Sequence, residues 1–116
     1  MPKVYILNKG GHDYSAAKRF GDLVYLSDGL LPRSNTSHMV RVLDPINRSS
    51  PHDYILLSSL SIMCSLACSM FTLRHGKLNI LIFKGVTYVE RRIEFASDLP
   101  DLLADEEGDG TAGSEA

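Results

Sequence analysis

Short apolar runs alternate along this chain with segments of helical composition, and turn residues stand at nearly every junction. That alternation limits the fold more than any other feature. Strands that follow one another through helices lie parallel and are joined by right-handed crossovers. Residues 3–8 (KVYILN) read as a buried first strand, closed by a turn at Lys9-Gly10-Gly11. His12 or Asp13 is placed to cap a helix over 14–20 that Gly21 ends. A second strand, 22–27, closes on Asp28-Gly29. After a loop over 32–36, Asn35 or Thr36 is placed to cap a helix over 37–44, which stops at Asp44-Pro45 because proline disfavours helix in the residue before it. Residues 47–52 are a loop, 53–58 a third strand and 61–74 a third helix, ended by His75-Gly76. Residues 78–83 and 86–93 form a hairpin with Lys84-Gly85 near its turn.

The predicted order is therefore β-α-β-α-β-α-β-β. It describes a small Rossmann-like α/β domain, with a mostly parallel sheet, a C-terminal hairpin and an acidic tail. All twelve Lys and Arg lie in residues 1–93 against six acids, so that body carries about +6. Residues 94–116 hold eight acids and no base, about −8. A division follows: an α/β domain over 1–93 and an acidic, largely disordered tail over 94–116. A basic body attracts anions, and its own tail competes with them or recruits a partner.

Several classes are disfavoured. Residues 54–73 carry no charge, and about 20 such residues can span a bilayer. Ser58, Ser59, Ser61, Ser65, Ser69 and Thr72 interrupt the run, and strand-type residues precede helix-type ones. A buried strand followed by a buried helix is expected there, with no membrane span. The opening Met1-Pro2-Lys3-Val4-Tyr5 enters a strand directly, without the pattern of a signal peptide. Cys64 and Cys68, four apart on one helix, suit neither a disulfide nor a complete zinc site, and a reducing, cytoplasmic setting is expected. No aromatic-basic stripe suits base stacking, so only non-specific phosphate attraction supports nucleic acid as a partner. Small residues at 61, 64, 65, 67, 68 and 69 give the third helix faces suited to close packing or self-association, and the edge strand 86–93 offers a second route to an oligomer.

In an open parallel sheet, ligands bind beyond the carboxyl ends of the strands. The first strand delivers Gly10, Gly11, His12, Asp13 and Ser15 to that rim, the second Ser27 and Asp28, and the third Ser58 and Ser59. Glycine lets a ligand approach the backbone, and free N–H groups at a helix start favour an anion. The first expectation is a non-enzymatic module that binds a small anionic or nucleotide-like ligand on these nine residues, with no metal and no assigned cofactor. The second is a protein-interaction factor acting through Leu99, Leu102 and Leu103 of the acidic tail, or through the edge strand. The third is a small hydrolase or nuclease, which requires His12 to act as a base with Asp28 nearby.

The segment Asn8-Lys-Gly-Gly-His-Asp-Tyr-Ser-Ala-Ala-Lys-Arg-Phe-Gly, together with Tyr54-Ile-Leu-Leu-Ser-Ser, resembles the compact α/β accessory proteins of bacteriophage genomes. The resemblance covers roughly 1–93 and carries over no functional residue. It implies a host-interacting or virion-associated role, in the host cytoplasm.

Overall fold

The computed structural model describes residues 1–29, 35–58 and 60–95. The tail from residue 96 onward, which includes Leu99, Leu102 and Leu103, lies outside them, as does Ser59. The protein is a small α/β protein with a mixed five-stranded sheet. Its strands are β1 (Lys3–Ile6), β2 (Asp22–Tyr25), β3 (Tyr54–Leu56), β4 (Lys77–Lys84) and β5 (Thr87–Glu94), in the order β2-β1-β3-β4-β5. The first four are mutually parallel and β5 runs antiparallel to β4, so the sheet is not a purely parallel Rossmann arrangement.

β1 is paired on both sides, Val4 facing Leu23 and Tyr54 across the two ladders. A strand so placed has both faces covered, which is why its residues are almost all apolar. Tyr5 and Leu7 join Ile55, Leu78 and the helices α1 (Thr36–Val42) and α2 (Ser61–His75) in one core layer. Val4 and Ile6 join Tyr54, Leu56, Leu81 and Tyr88 in the other, whose only helical cover among the described residues is the short 3-10 helix Ser15–Phe20, through Ala17.

Several local expectations change, and the first two strands end at Ile6 and Tyr25, two residues earlier than expected. The helix predicted over 14–20 is the six-residue 3-10 helix Ser15–Phe20. The Asp13 side chain accepts the Ser15 N–H at its start, and Gly21 lies against Pro2 at its end. Helix α1 begins under Asn35, whose side chain accepts from the His38 N–H at 2.9 Å. The chain then continues through Pro45 into a second 3-10 helix, Asp44–Arg48, because proline is tolerated at a helix's first position. β3 is limited to three residues. In α2 the inward face is Met63, Ala67 and Phe71, while Ser61, Ser65 and Ser69 face outward. The hairpin turns at Gly85-Val86, with Gly85 at φ 73°.

The amino-terminal rim of the sheet is tied by one carboxylate. Buried Asp53 accepts from the Lys3 N–H at 2.9 Å, the Ser50 N–H at 2.8 Å and the Tyr5 hydroxyl at 3.4 Å. Fully buried Asn79 donates to the carbonyls of Pro51 and Asp53 at 2.8 and 2.9 Å, which joins β4 to the same corner. On the thinly covered face, the Tyr54 hydroxyl donates to Glu90 at 2.7 Å, and Arg92 bridges Glu90 and Tyr54.

Two predictions follow from these contacts. A Cβ on Gly21 would lie 2.2 Å from the Pro2 carbonyl oxygen and 2.7 Å from its carbon, and neither backbone atom can swing aside. Gly21→Ala is expected to destabilise the domain by about 2 kcal/mol or more, read as a lower urea midpoint. Glu90 is held below the usual glutamate range by the Tyr54 hydroxyl first and by Arg92 second. A depressed folded pKa stabilises above the unfolded value, about 4.3, and that stabilisation is lost as pH falls through the folded value. The urea midpoint should therefore fall more steeply on acidification below about pH 4.5 in the wild type than in Glu90→Gln.

Candidate functional site

Because β1 to β4 are parallel, their carboxyl ends share one rim. There the Leu26 N–H donates to the Ile6 carbonyl and the Lys9 N–H to the Ser27 carbonyl, at 2.9 and 2.8 Å. These bonds stitch the loops after β1 and β2 together. The Ser27 hydroxyl donates to the Leu7 carbonyl at 2.6 Å, and Asp28 accepts the Gly10 N–H at 3.2 Å. The chain reverses at Gly10 and Gly11, both at positive φ (55° and 84°), a region that a residue with a Cβ enters at a cost of about 1 kcal/mol or more. Asp13 then accepts the Ser15 N–H at 2.9 Å, and hydrogen bonding by Ser15 holds its carboxyl below the usual aspartate range.

After β3 the chain is fastened to α2. The Ser58 N–H donates to Cys64 Sγ at 3.4 Å, and that thiol donates back to the Ser58 carbonyl at 3.5 Å. The Ser58 hydroxyl accepts from the Leu60 N–H at 3.3 Å. One turn further along α2, burial pushes the Cys68 thiol up to about 11.

Between these loops lies a cleft of about 650 Å³. Its wall is mostly apolar: Met39 and Met63 come from one core layer, Leu56 and Tyr88 from the other, and Leu60 and Phe83 complete it. Asn8, Gly10, His12, Asp13 and Ser58 supply its polar end. The Tyr14 hydroxyl donates to the Asn8 carbonyl at 3.2 Å, and the His12 ring meets Tyr14 edge-on at 6.1 Å. Burial, followed by the neighbouring Tyr25, raises the Tyr14 phenol above its ordinary value. Burial, followed by Tyr14 and Asp13, does the same to Tyr88.

Of the nine residues predicted at this rim, Gly10, His12, Asp13 and Ser58 line the cleft. Gly11, Ser15, Ser27 and Asp28 stand behind it, where they shape the turns that carry the lining residues. Ser59 is outside the described residues, as is the partner-binding set Leu99, Leu102 and Leu103. No hydrogen bond or ion pair joins His12 to Asp28, whose side chain instead caps the Gly10 amide. Sequence reasoning missed Tyr14, Phe83 and Tyr88. The available signal was that β4 is parallel to its neighbours, so its carboxyl end reaches the same rim. Among the described residues no three His, Cys, Asp or Glu side chains converge as they would around a metal ion. No described helix is long and apolar enough to cross a membrane.

A small α/β protein of phage type fits both the sheet and the segments that resemble phage accessory proteins. The chain belongs to the family of the phage Pam3 gp32-like protein, whose model matches residues 2–96. No curated protein and no solved structure matches it.

The Asp28 contact makes a local prediction. Asp28→Ala removes one exposed hydrogen bond, worth about 1 kcal/mol at most. It should speed hydrogen exchange at the Gly10 amide while leaving the exchange of Tyr5 and Ile55, in the core strands, unchanged.

Proposed function

We propose that this chain is a non-enzymatic small-ligand-binding module, built on a Rossmann-like sheet and holding its ligand at the carboxyl rim. The observation that carries the reading is the position of the cleft. In the order β2-β1-β3-β4 the chain first crosses from β1 to β2 on one side, then returns past β1 to β3 on the other. The loops leaving β1 and β3 therefore diverge, and open α/β sheets receive ligands at such a switch point. A volume of about 650 Å³ is the size of a small-molecule site, and a mostly apolar wall with a few convergent polar groups is its usual make-up. The wall supports the nucleotide-like half of the expectation better than the anionic half, because apolar and aromatic side chains provide most of it. Gly10, His12, Asp13 and Ser58 are the proposed contacts, and Gly11, Ser15, Ser27 and Asp28 hold the loops in place.

A second reading has its own support. β5 is one of the two edge strands, and Val86 at the hairpin tip is 87% exposed. A phage protein-interaction factor in the host cytoplasm could dock a partner along that edge or through its acidic tail. Ser61 lies on α2 and not on β5, so one variant there discriminates between the readings. Ser61 is exposed and lines the cleft, so Ser61→Trp should fill the site without unfolding the domain. In a thermal-shift screen of nucleosides and nucleotides, a ligand at about a hundred times its Kd should stabilise the wild type by about 2.7 kcal/mol and leave Ser61→Trp unchanged. No shift from any member of the screen, or an equal shift in both proteins, removes the reading.

A further inference from the structure

The two faces of β5 are covered unequally. Side chains along a strand alternate between the layers on either side of the sheet. Tyr88 belongs to the layer of the 3-10 helix Ser15–Phe20, and Glu90 and Arg92 reach Tyr54 in that layer. Arg19 of that helix donates to the Tyr88 carbonyl at 3.0 Å, which ties β5 down from this side. Ile93 packs in the layer of α1 and α2, so Val89 and Arg91 face the same way. There α2 packs on β4 and on the 3-10 helix Asp44–Arg48, and among the described residues no helix packs closely on β5 from that side.

One flank of α2 borders the uncovered face. The His75 ring meets the Ser49 hydroxyl at 2.8 Å, and Cys64 is bonded to Ser58, so the flank that carries them looks back toward the Asp44–Arg48 helix and β3. At about 3.6 residues per turn, Leu66, Met70 and Leu73 fall on the opposite flank, toward β5. Leu66 and Met70 are half-buried and Leu73 is 88% exposed. With half-buried Val89 and Ile93 they form an apolar strip between α2 and β5. Arg91 lies between Val89 and Ile93, and Arg74 follows Leu73. Both are exposed, and neither enters an ion pair among the described residues.

The path of the chain indicates what covers this strip. β5 ends at the amino-terminal rim, where Glu94 faces Lys77 and pairs with it at 3.3 Å. α2 ends at His75, two residues before Lys77, so Leu73 and Arg74 stand near the same corner. Residues 96–116, which lie outside the described residues, therefore start beside the strip. Leu99 comes four residues after Phe95, a reach of at most about 14 Å, and Leu102 and Leu103 follow closely. Residues 96–116 carry seven acids and no base, a charge opposite to that of Arg74 and Arg91.

We propose that Leu99, Leu102 and Leu103 cover this strip on their own domain, with the acids beside them facing Arg74 and Arg91. The contact is made within one chain. A partner that reads these leucines has to compete with the domain for them.

The test is amide hydrogen exchange on the full chain, followed by nuclear magnetic resonance. Exchange at Asp101, Leu102 and Leu103 is expected to be at least about tenfold slower than in an unstructured chain. Leu73→Asp changes an exposed side chain, so the domain stays folded. It should return those three amides to the unstructured rate, while Tyr5 and Ile55 in the core strands exchange as before. The triple variant Leu99→Ser, Leu102→Ser, Leu103→Ser should shift the amide resonances of Met70, Val89 and Ile93 and leave Gly10 and Ser58 of the cleft unmoved. Exchange of the tail amides at the unstructured rate in the wild type overturns the proposal. So does protection that survives Leu73→Asp, or a triple variant that shifts the cleft in place of the strip. Protection that grows with protein concentration overturns it as well, and assigns the strip to a second copy of the chain.

Discussion

The double pairing of β1 shapes the whole molecule. Four residues, Lys3–Ile6, carry ladders to β2 on one edge and β3 on the other, both parallel. Once β1 is paired on both edges, the chain cannot wind in one direction only. It crosses to β2 by one face and to β3 by the other, as right-handed connections require. The two core layers follow: Val4 and Ile6 are covered by the 3-10 helix, Tyr5 and Leu7 by the α-helices. The cleft follows as well, because the loops after β1 and β3 have to part at the rim.

The two rims of the sheet are built on different principles. At the amino-terminal rim, Asp53 and Asn79 convert loose backbone groups into a closed hydrogen-bonded corner spanning β1, β3 and β4. Such a corner is rigid, since removing any one member strands a buried partner. At the carboxyl rim, bonds run within each loop or between neighbouring loops, as with Gly10 to Asp28 or Ser58 to Cys64, and the space between the loops of β1 and β3 stays open. The fold thus fixes one end of the sheet and holds the other apart.

Much of this was legible in the residues, for identifiable reasons. Strand and helix order followed from periodicity and from turn residues such as Gly21, Gly76 and Gly85, and the N-cap at Asn35 was among the expected pair. The 3-10 form of residues 15–20 was not legible, because α and 3-10 helices share the same residue preferences; nor was the close approach of Gly21 to Pro2, a contact between segments nineteen residues apart. Asp53 was legible as a carboxylate at the far end of its strand but not as the tie for Lys3, fifty residues away. In the site, Gly10, His12, Asp13 and Ser58 could be placed because strand ends were the guide. Phe83 and Tyr88 could not, because the hairpin was read as an edge open to a partner and not as part of the rim. Its role follows from the β3–β4 register, which pairs Ile55 with Ile80 and carries the hairpin's far end out to the rim.

The hairpin's own edge has a consequence for how this protein behaves in a crowd. An unpaired strand invites a neighbour to extend the sheet, copy upon copy. On β5, Glu90, Arg91 and Arg92 put charge on both faces of the outer strand, and Arg91 and Arg92 are exposed. A newcomer aligning there must strip water from two guanidinium groups before gaining a single main-chain bond. Those charges make β5 a poor seed for fibre growth.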